Sequence, residues 1–385
     1  MKPSSRAVRS KLSIPRPGRA RAGGLVAGLL VLGSLGALRC NAFRSLEDCA
    51  ADSDCAAGLV CEPRAKRCIP ARDASLPLDA AVPDVNVPDT RVPDGEADGA
   101  VRCESLPWGA PKPVNGLENE PIISARLSPD EMTMFISRGV PPTFTDIYTV
   151  ARNDVSSPFR VIGALPIVNE PGTSEFWPTS SADGKLLFFE SSRSTVPNEA
   201  GVYTSAGARV WSATRVNTAT DFDKPRLQTL FDVAGPEAAP YLHPSGASLY
   251  FASRSRPGKG ELDIWVAEIN ASSGVVVDIR NVEAVNSTTD ENAPVVTRDD
   301  RFLYHNRLSN DFTENDIWVA KRSTPADGFG KSVRVQELSS LYDEYPSWVS
   351  NDHCRLYFAS TRPIPGAATI DAGGDPVFHL WLSER

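Results

Sequence analysis

Four glutamates, Glu175, Glu237, Glu291 and Glu344, recur along the chain, and an arginine follows each: Arg193, Arg254, Arg307 and Arg362. Acids spaced in this way can do three kinds of chemistry. A ring of carboxylates around a channel can hold a cation or a basic peptide. Two carboxylates in unlike surroundings can act as acid and base across a glycosidic bond. A carboxylate opposite an arginine on an antiparallel hairpin is a brace. Repetition favours the brace, because catalysis needs a few non-equivalent acids whose pKa values are driven apart. The acids that do not repeat, among them Asp221, Asp223, Asp290 and Asp311, stand in stretches rich in Ser, Thr and Asn, where Asx-turns and solvated loops are expected. His243, His305, His353 and His379 fall in separate repeats and form no HExxH or triad-like local motif. ENDIW and NSTTDEN could contribute to calcium loops, but no Asp-x-Asp-x-Asp-Gly run is present, so no cofactor is expected. No catalytic residue stands out.

The elements that must position these residues are themselves repeated. Aligned on the turn before an aromatic strand, five copies fall at Glu131, Gly184, Gly246, Asp300 and His353, at intervals of 53, 62, 54 and 53 residues. Each interval holds strand-length alternating segments and no long apolar stripe of period 3.6, which predicts an all-β repeat of the propeller kind. The second strands read MTMFIS, KLLFFESS, ASLYFAS, RFLYHN and CRLYFAS. The third strands carry one aromatic each, Tyr148, Tyr203, Trp265, Trp318 and Trp381, expected to pack between blades rather than face a ligand.

PFRVIGALP, ARVWSATRVN, VVVDIRNVEAVN and GKSVRVQELS read as outer, fourth strands. The last copy has none, and PWGAPKPVNGL, residues 107–117, is the expected substitute, closing the ring so that neither edge is left open. The fold class is therefore all-β over residues 103–385: a propeller of five four-stranded blades, or six if the 62-residue interval hides a degenerate one. Cys103 and Cys354 fall at the same end of the closing blade, and a disulfide between them would lock the ring.

The repeats resemble the PD40 family, the WD40-like propeller repeats found in TolB and its relatives. Ser128-Pro129-Asp130, Ala182-Asp183-Gly184 and His243-Pro244-Ser245-Gly246 match its turn, and Ser191-Ser192-Arg193 and Ser360-Thr361-Arg362 its Ser-x-Arg. Asp146, Asp263 and Asp316 head the third strand, where the second copy has Gly201 instead. The resemblance implies a propeller; the family hosts signalling, docking and enzymatic members alike.

Charge and cysteine usage give the cellular address. Residues 1–21 hold seven Lys or Arg and no acid, and the uncharged apolar run Ala22–Leu38 follows, as in a secretory signal spanning residues 1–39. The end of that run resembles a bacterial lipoprotein signal, which implies lipidation at Cys40, with Arg39 standing where that signal has a small residue. Cys49, Cys55, Cys61 and Cys68 lie in a segment almost free of large apolar side chains, so residues 40–69 are expected to be a small module held by two disulfides. Residues 70–102, with a Val-Pro-Asp theme, read as an extended stalk.

Residues 103–385 hold 36 acids against 25 bases, which excludes a broad basic surface for nucleic acid. Together these features predict an exported, monomeric, non-catalytic propeller, tethered at the cell envelope or periplasmic, with secretion as the alternative. It would bind an envelope protein or wall component and touch the membrane only through a lipid or N-terminal anchor. A glycoside hydrolase acting on polysaccharide is the alternative function.

Overall fold

The computed structural model describes residues 59–62, 67–70 and 103–385, apart from short loops at 140–143, 195–204, 232–234, 271–274, 310–313 and 372–373. The leader, Cys40, Cys49, Cys55, the stalk, Gly201, Tyr203, Asp311 and the side chains of Cys61 and Cys68 lie outside the described residues. In the first unit, residues 1–94, β1 (Leu59–Glu62) pairs antiparallel with β2 (Arg67–Pro70), setting Cys61 opposite Cys68 in the backbone register.

The second unit is a propeller of five four-stranded antiparallel blades. Blade I is β4 (Ile122–Leu127), β5 (Thr133–Arg138), β6 (Asp146–Ala151) and β7 (Arg160–Ala164). Blade II is β8 (Glu175–Ser180), β9 (Leu186–Arg193), β10 (Ser205–Thr214) and β11 (Arg226–Leu227). Blade III is β12 (Glu237–Leu242), β13 (Ser248–Ser253), β14 (Asp263–Asn270) and β15 (Val275–Asn281). Blade IV is β16 (Glu291–Val296), β17 (Phe302–Leu308), β18 (Asn315–Lys321) and β19 (Val333–Arg334). Blade V joins β20 (Glu344–Val349), β21 (Arg355–Ser360) and β22 (His379–Glu384) to β3 (Lys112–Pro113) from the start of the unit.

The aligned turns share one backbone conformation. Glu131, Gly184, Gly246, Asp300 and His353 all have positive φ, between 57° and 75°. The residues before them explain why the chain turns there. Ser128, Ser181 and Thr297 each donate a hydroxyl to the Asp two residues on, at 2.6 Å in all three, and Ser350 makes the same bond to Asp352. Such local side-chain bonds compete with the strand and fix a turn. Blade III reaches the same geometry with His243 Nδ1 against Ser245 Oγ at 2.8 Å.

Aromatic side chains fill the seams between blades. Trp211 packs with Phe135 and Ile147 of blade I, Trp265 with Phe188 of blade II, and Tyr357 with Met134 and Ile136 across the V–I seam. Outer strands β3, β11 and β19 contain only two residues each and leave little free edge in their blades, whereas β7 and β15 run five and seven residues.

Blade II departs from the expected strand order. Its third strand is β10, containing ARVWSAT, and its outer strand is β11. Trp211 lies opposite Phe189, as Trp265 lies opposite Phe251 and Trp381 opposite Phe358, so Trp211 and not Tyr203 is the third-strand aromatic of blade II. The long interval comes from an extended β9–β10 connection, not from a sixth blade.

Closure follows β22. Gly109 donates its amide to Glu384 O at 2.7 Å, Lys112 pairs with Leu382, and Val114 N bonds Leu380 O at 3.0 Å. β3 and β21 flank β22 and so stand about 10 Å apart, too far for a direct bridge. A 3-10 turn over Cys103–Ser105 precedes β3, and Cys103 forms a disulfide with Cys354 at a Cα separation of 5.0 Å.

Candidate functional site

Glu175 opens β8 and is fully buried. It accepts hydrogen bonds from Thr173 Oγ1 at 2.8 Å, Ser191 Oγ at 2.7 Å and Arg193 Nη2 at 3.0 Å. Arg193 also donates to Val168 O on the crossover into the blade, and its guanidinium lies 5.3 Å from the Trp211 ring. The same stack recurs. Arg307 donates to Glu291 at 2.7 Å and to Val285 O at 2.7 Å, and lies 4.2 Å from the Trp318 ring. Arg362 lies 3.1 Å from Glu344, bonds Leu338 O and packs over Phe358.

In blade III the partner of Glu237 is Arg256, at 3.4 Å, and not Arg254. Arg254 is exposed and reaches Asp290 at 3.2 Å. Blade I has Ile122 where the others have Glu, and Glu120 pairs with Arg138 instead. Each arginine thus ties an inner carboxylate to its own blade, usually with a crossover carbonyl and an aromatic ring. Burial pushes the Glu175, Glu237 and Glu291 carboxyls above their ordinary range, and Glu344 up to about 7, against the opposing pull of serine and arginine donors.

The propeller axis carries a different chemistry. A narrow cavity is lined by all five blades, and one residue from each β-turn reaches it: Pro129, Ala182, Pro244, Arg298 and Asn351. Arg126 of β4 forms part of its wall and is only 3% exposed. Its Nη1 donates to Ala125 O at 3.0 Å and to Ser347 O of blade V. Nε and Nη2 have no hydrogen-bond partner, while the Tyr241 and Trp177 rings lie 5.0 and 5.7 Å from the guanidinium carbon. Burial lowers the Arg126 pKa to about 10, still leaving it a cation at neutral pH. Farther along the axis Trp177 packs with Ala239 and Ala293 and contacts Tyr345 at 6.0 Å.

Glu190 of β9 is a non-repeated acid beside the inner strands. It accepts the Ala239 amide at 3.0 Å, and desolvation pushes its carboxyl up to about 7. The histidines serve separate places. His305 is buried between Asn306 O and Ser332 Oγ, and burial pushes it down to about 3; His379 contacts Glu120 O and Ala368 O. His353 lies between Asp299, at 3.4 Å, and Glu104, at 4.0 Å, and these three bring ligand-type atoms within 4.8 Å of one another. Arg301 stands 3.7 Å from Glu104 and contributes opposing charge. Burial works against ionisation of Asp299, but hydrogen bonds from His353 and Thr297 outweigh it and hold the carboxyl well below its usual range.

No family model and no curated protein sequence matches the chain. Solved structures match it at low similarity. TolB from Acinetobacter baumannii is 14% identical, with 69% of this chain and 55% of that one covered and a TM-score of 0.40. The alpha-L-arabinofuranosidase PaAbf62A from Podospora anserina, in complex with cellotriose, is 10% identical over 72% of this chain and 96% of that one, TM-score 0.45. A thermostable family-43 glycoside hydrolase is 13% identical over 71% and 92%, TM-score 0.44. The likeness concerns the propeller alone.

Arg126 escaped the sequence reading because the inner strand of blade I lacks the glutamate that marks the others. The available signal was that absence: IISARL has a cation near the position of Tyr241 and Trp348 in EAAPYL and EYPSWV.

Proposed function

We propose that this chain is an exported, non-catalytic propeller that binds a protein or cell-envelope component at the turn-side mouth of its axis. One contrast carries the reading: the inner-strand glutamates are each held by an arginine, whereas the axial cavity has two guanidiniums and, among the described residues, no carboxylate in its wall. A glycosidase needs two carboxyl groups roughly 5–10 Å apart and free to reach substrate. Here Glu175, Glu237, Glu291 and Glu344 are fully buried, and Glu190 is engaged with a backbone amide. The basic leader and apolar run, together with the proline-rich stalk, support display of the ring outside the cytoplasm.

The test uses the full chain after removal of its leader. It should capture a specific component from envelope extract, with capture weakened by Arg298→Ala at the mouth. Release of reducing ends from envelope polysaccharide, abolished by Glu190→Gln, would replace this reading with an enzymatic one.

A further inference from the structure

The closing disulfide sets two side chains face to face. Cys103 precedes Glu104 and Cys354 follows His353, so the bond between the cysteines brings the entry segment against the turn of blade V. His353 is 4% exposed, and its Nδ1 lies 4.0 Å from Glu104 Oε2. That gap is too long for a hydrogen bond, and among the described residues neither atom has a hydrogen-bond partner in the protein. The other ring nitrogen, Nε2, is turned to Asp299 Oδ2 of the blade IV turn at 3.4 Å, and the Phe302 ring stands edge-on to the imidazole at 5.0 Å. With its proton on Nε2, toward Asp299, the neutral ring presents a bare lone pair to a carboxylate oxygen. Two acceptors facing each other in a buried place call for a cation between them.

We propose that His353 and Glu104 bind a divalent transition ion of the zinc class, with Asp299 as the positioning carboxylate behind the histidine. The 4.0 Å gap is about the sum of one zinc–nitrogen and one zinc–oxygen bond. Tetrahedral coordination would draw the two atoms about 0.5 Å closer, a movement open to the partly exposed Glu104 side chain. An imidazole beside a carboxylate suits zinc and its neighbours better than calcium or magnesium, which take oxygen ligands. A carboxylate on the far nitrogen fixes the tautomer that leaves the near one free, the usual support of a metal-bound histidine. Asp299 is itself held in place through its other oxygen, by Thr297 Oγ1 at 2.6 Å and the Arg301 amide at 3.3 Å. Water would complete the coordination. The Arg301 side chain opposes the ion, but its Nη1 lies 3.7 Å from Glu104 Oε1 and leaves Oε2 to the metal. None of these residues lines the axial cavity, so the ion is independent of whatever the mouth of the propeller binds.

The experiment titrates the full leaderless chain, oxidised and labelled with 15N-histidine, with zinc, calcium and magnesium ions at mildly alkaline pH. One equivalent of zinc should bind saturably and move the His353 Nδ1 signal, with calcium and magnesium about tenfold weaker or more. Glu104→Gln and His353→Asn should each weaken zinc by about tenfold or more; asparagine tolerates the left-handed backbone of that turn. Asp299→Asn can keep the Thr297 bond but should move the His353 proton to Nδ1, which the 15N spectrum reads, and weaken zinc by about 10–100-fold. Arg301→Gln should strengthen zinc by about threefold, because it removes a like charge. Glu104→Gln leaves every cysteine in place, so zinc held by a thiol would survive it. If His353→Asn does not fold, the His353 Nδ1 shift in the unaltered protein decides. Zinc binding that leaves His353 Nδ1 unmoved, that survives Glu104→Gln, or that calcium matches would each overturn the proposal, as would a His353 that takes up protons but no zinc.

Discussion

Cys103 and Cys354 are bonded across a sequence separation of 251, with their Cα atoms 5.0 Å apart, and so join the segment that enters the propeller to the blade that ends it. The neighbouring Arg355 extends the closure, reaching Glu131 of blade I at 2.6 Å. A long cross-linked loop removes much unfolded-state entropy. Cys354→Ser should therefore lower unfolding stability by about 2–5 kcal/mol, measured by denaturant titration. Adding reductant should destabilise the unaltered ring by a similar amount and leave the variant unchanged.

The buried braces predict unequal losses. Arg193→Met leaves Glu175 without its cation at a site where both side chains are at most 2% exposed, and should cost about 3–5 kcal/mol. Arg256→Met should be milder, about 1–3 kcal/mol, because that pair is longer and its arginine more exposed. Arg254→Ala should fall within about 0.5 kcal/mol of the parent. Chemical denaturation of the three variants checks the order; a large loss at Arg254 would restore it as the partner of Glu237.

Glu190 should make stability depend on pH. Desolvation raises its carboxyl from the ordinary 4.5 to about 7, so the folded state binds the proton more tightly than the unfolded chain. That contribution is complete below pH 4.5 and is lost as the pH rises through about 7. Glu344 acts in the same direction. Glu190→Gln should flatten part of the decline, gaining on the order of 1–3 kcal/mol relative to the parent at pH 8 compared with pH 4. Thermal melts across this range test the sign.

Periodicity made the scaffold readable. All five turn positions marked in the sequence have a left-handed backbone, because a side chain that bonds its own turn is a local signal. The closing strand was readable from what the last repeat lacks. Register was harder. In Ser253-Arg254-Ser255-Arg256 two arginines compete for one glutamate, and only the strand end, at Ser253, decides which one turns inward. Tyr203 stood in for Trp211 because an extended hairpin displaces the third strand of blade II, and insertions in connections leave no periodic trace. Arg126 is a tertiary feature: its meaning comes from Tyr241, Trp177 and Ser347, contributed by three other blades.

The most direct test of the account is hydrogen exchange on the full leaderless chain, alone and with its captured envelope partner. Protection should appear at the turns 128–131, 181–184, 243–246, 297–300 and 350–353, which surround the mouth beside Arg126. Protection confined to the opposite face of the ring, with these turns unchanged, would contradict it.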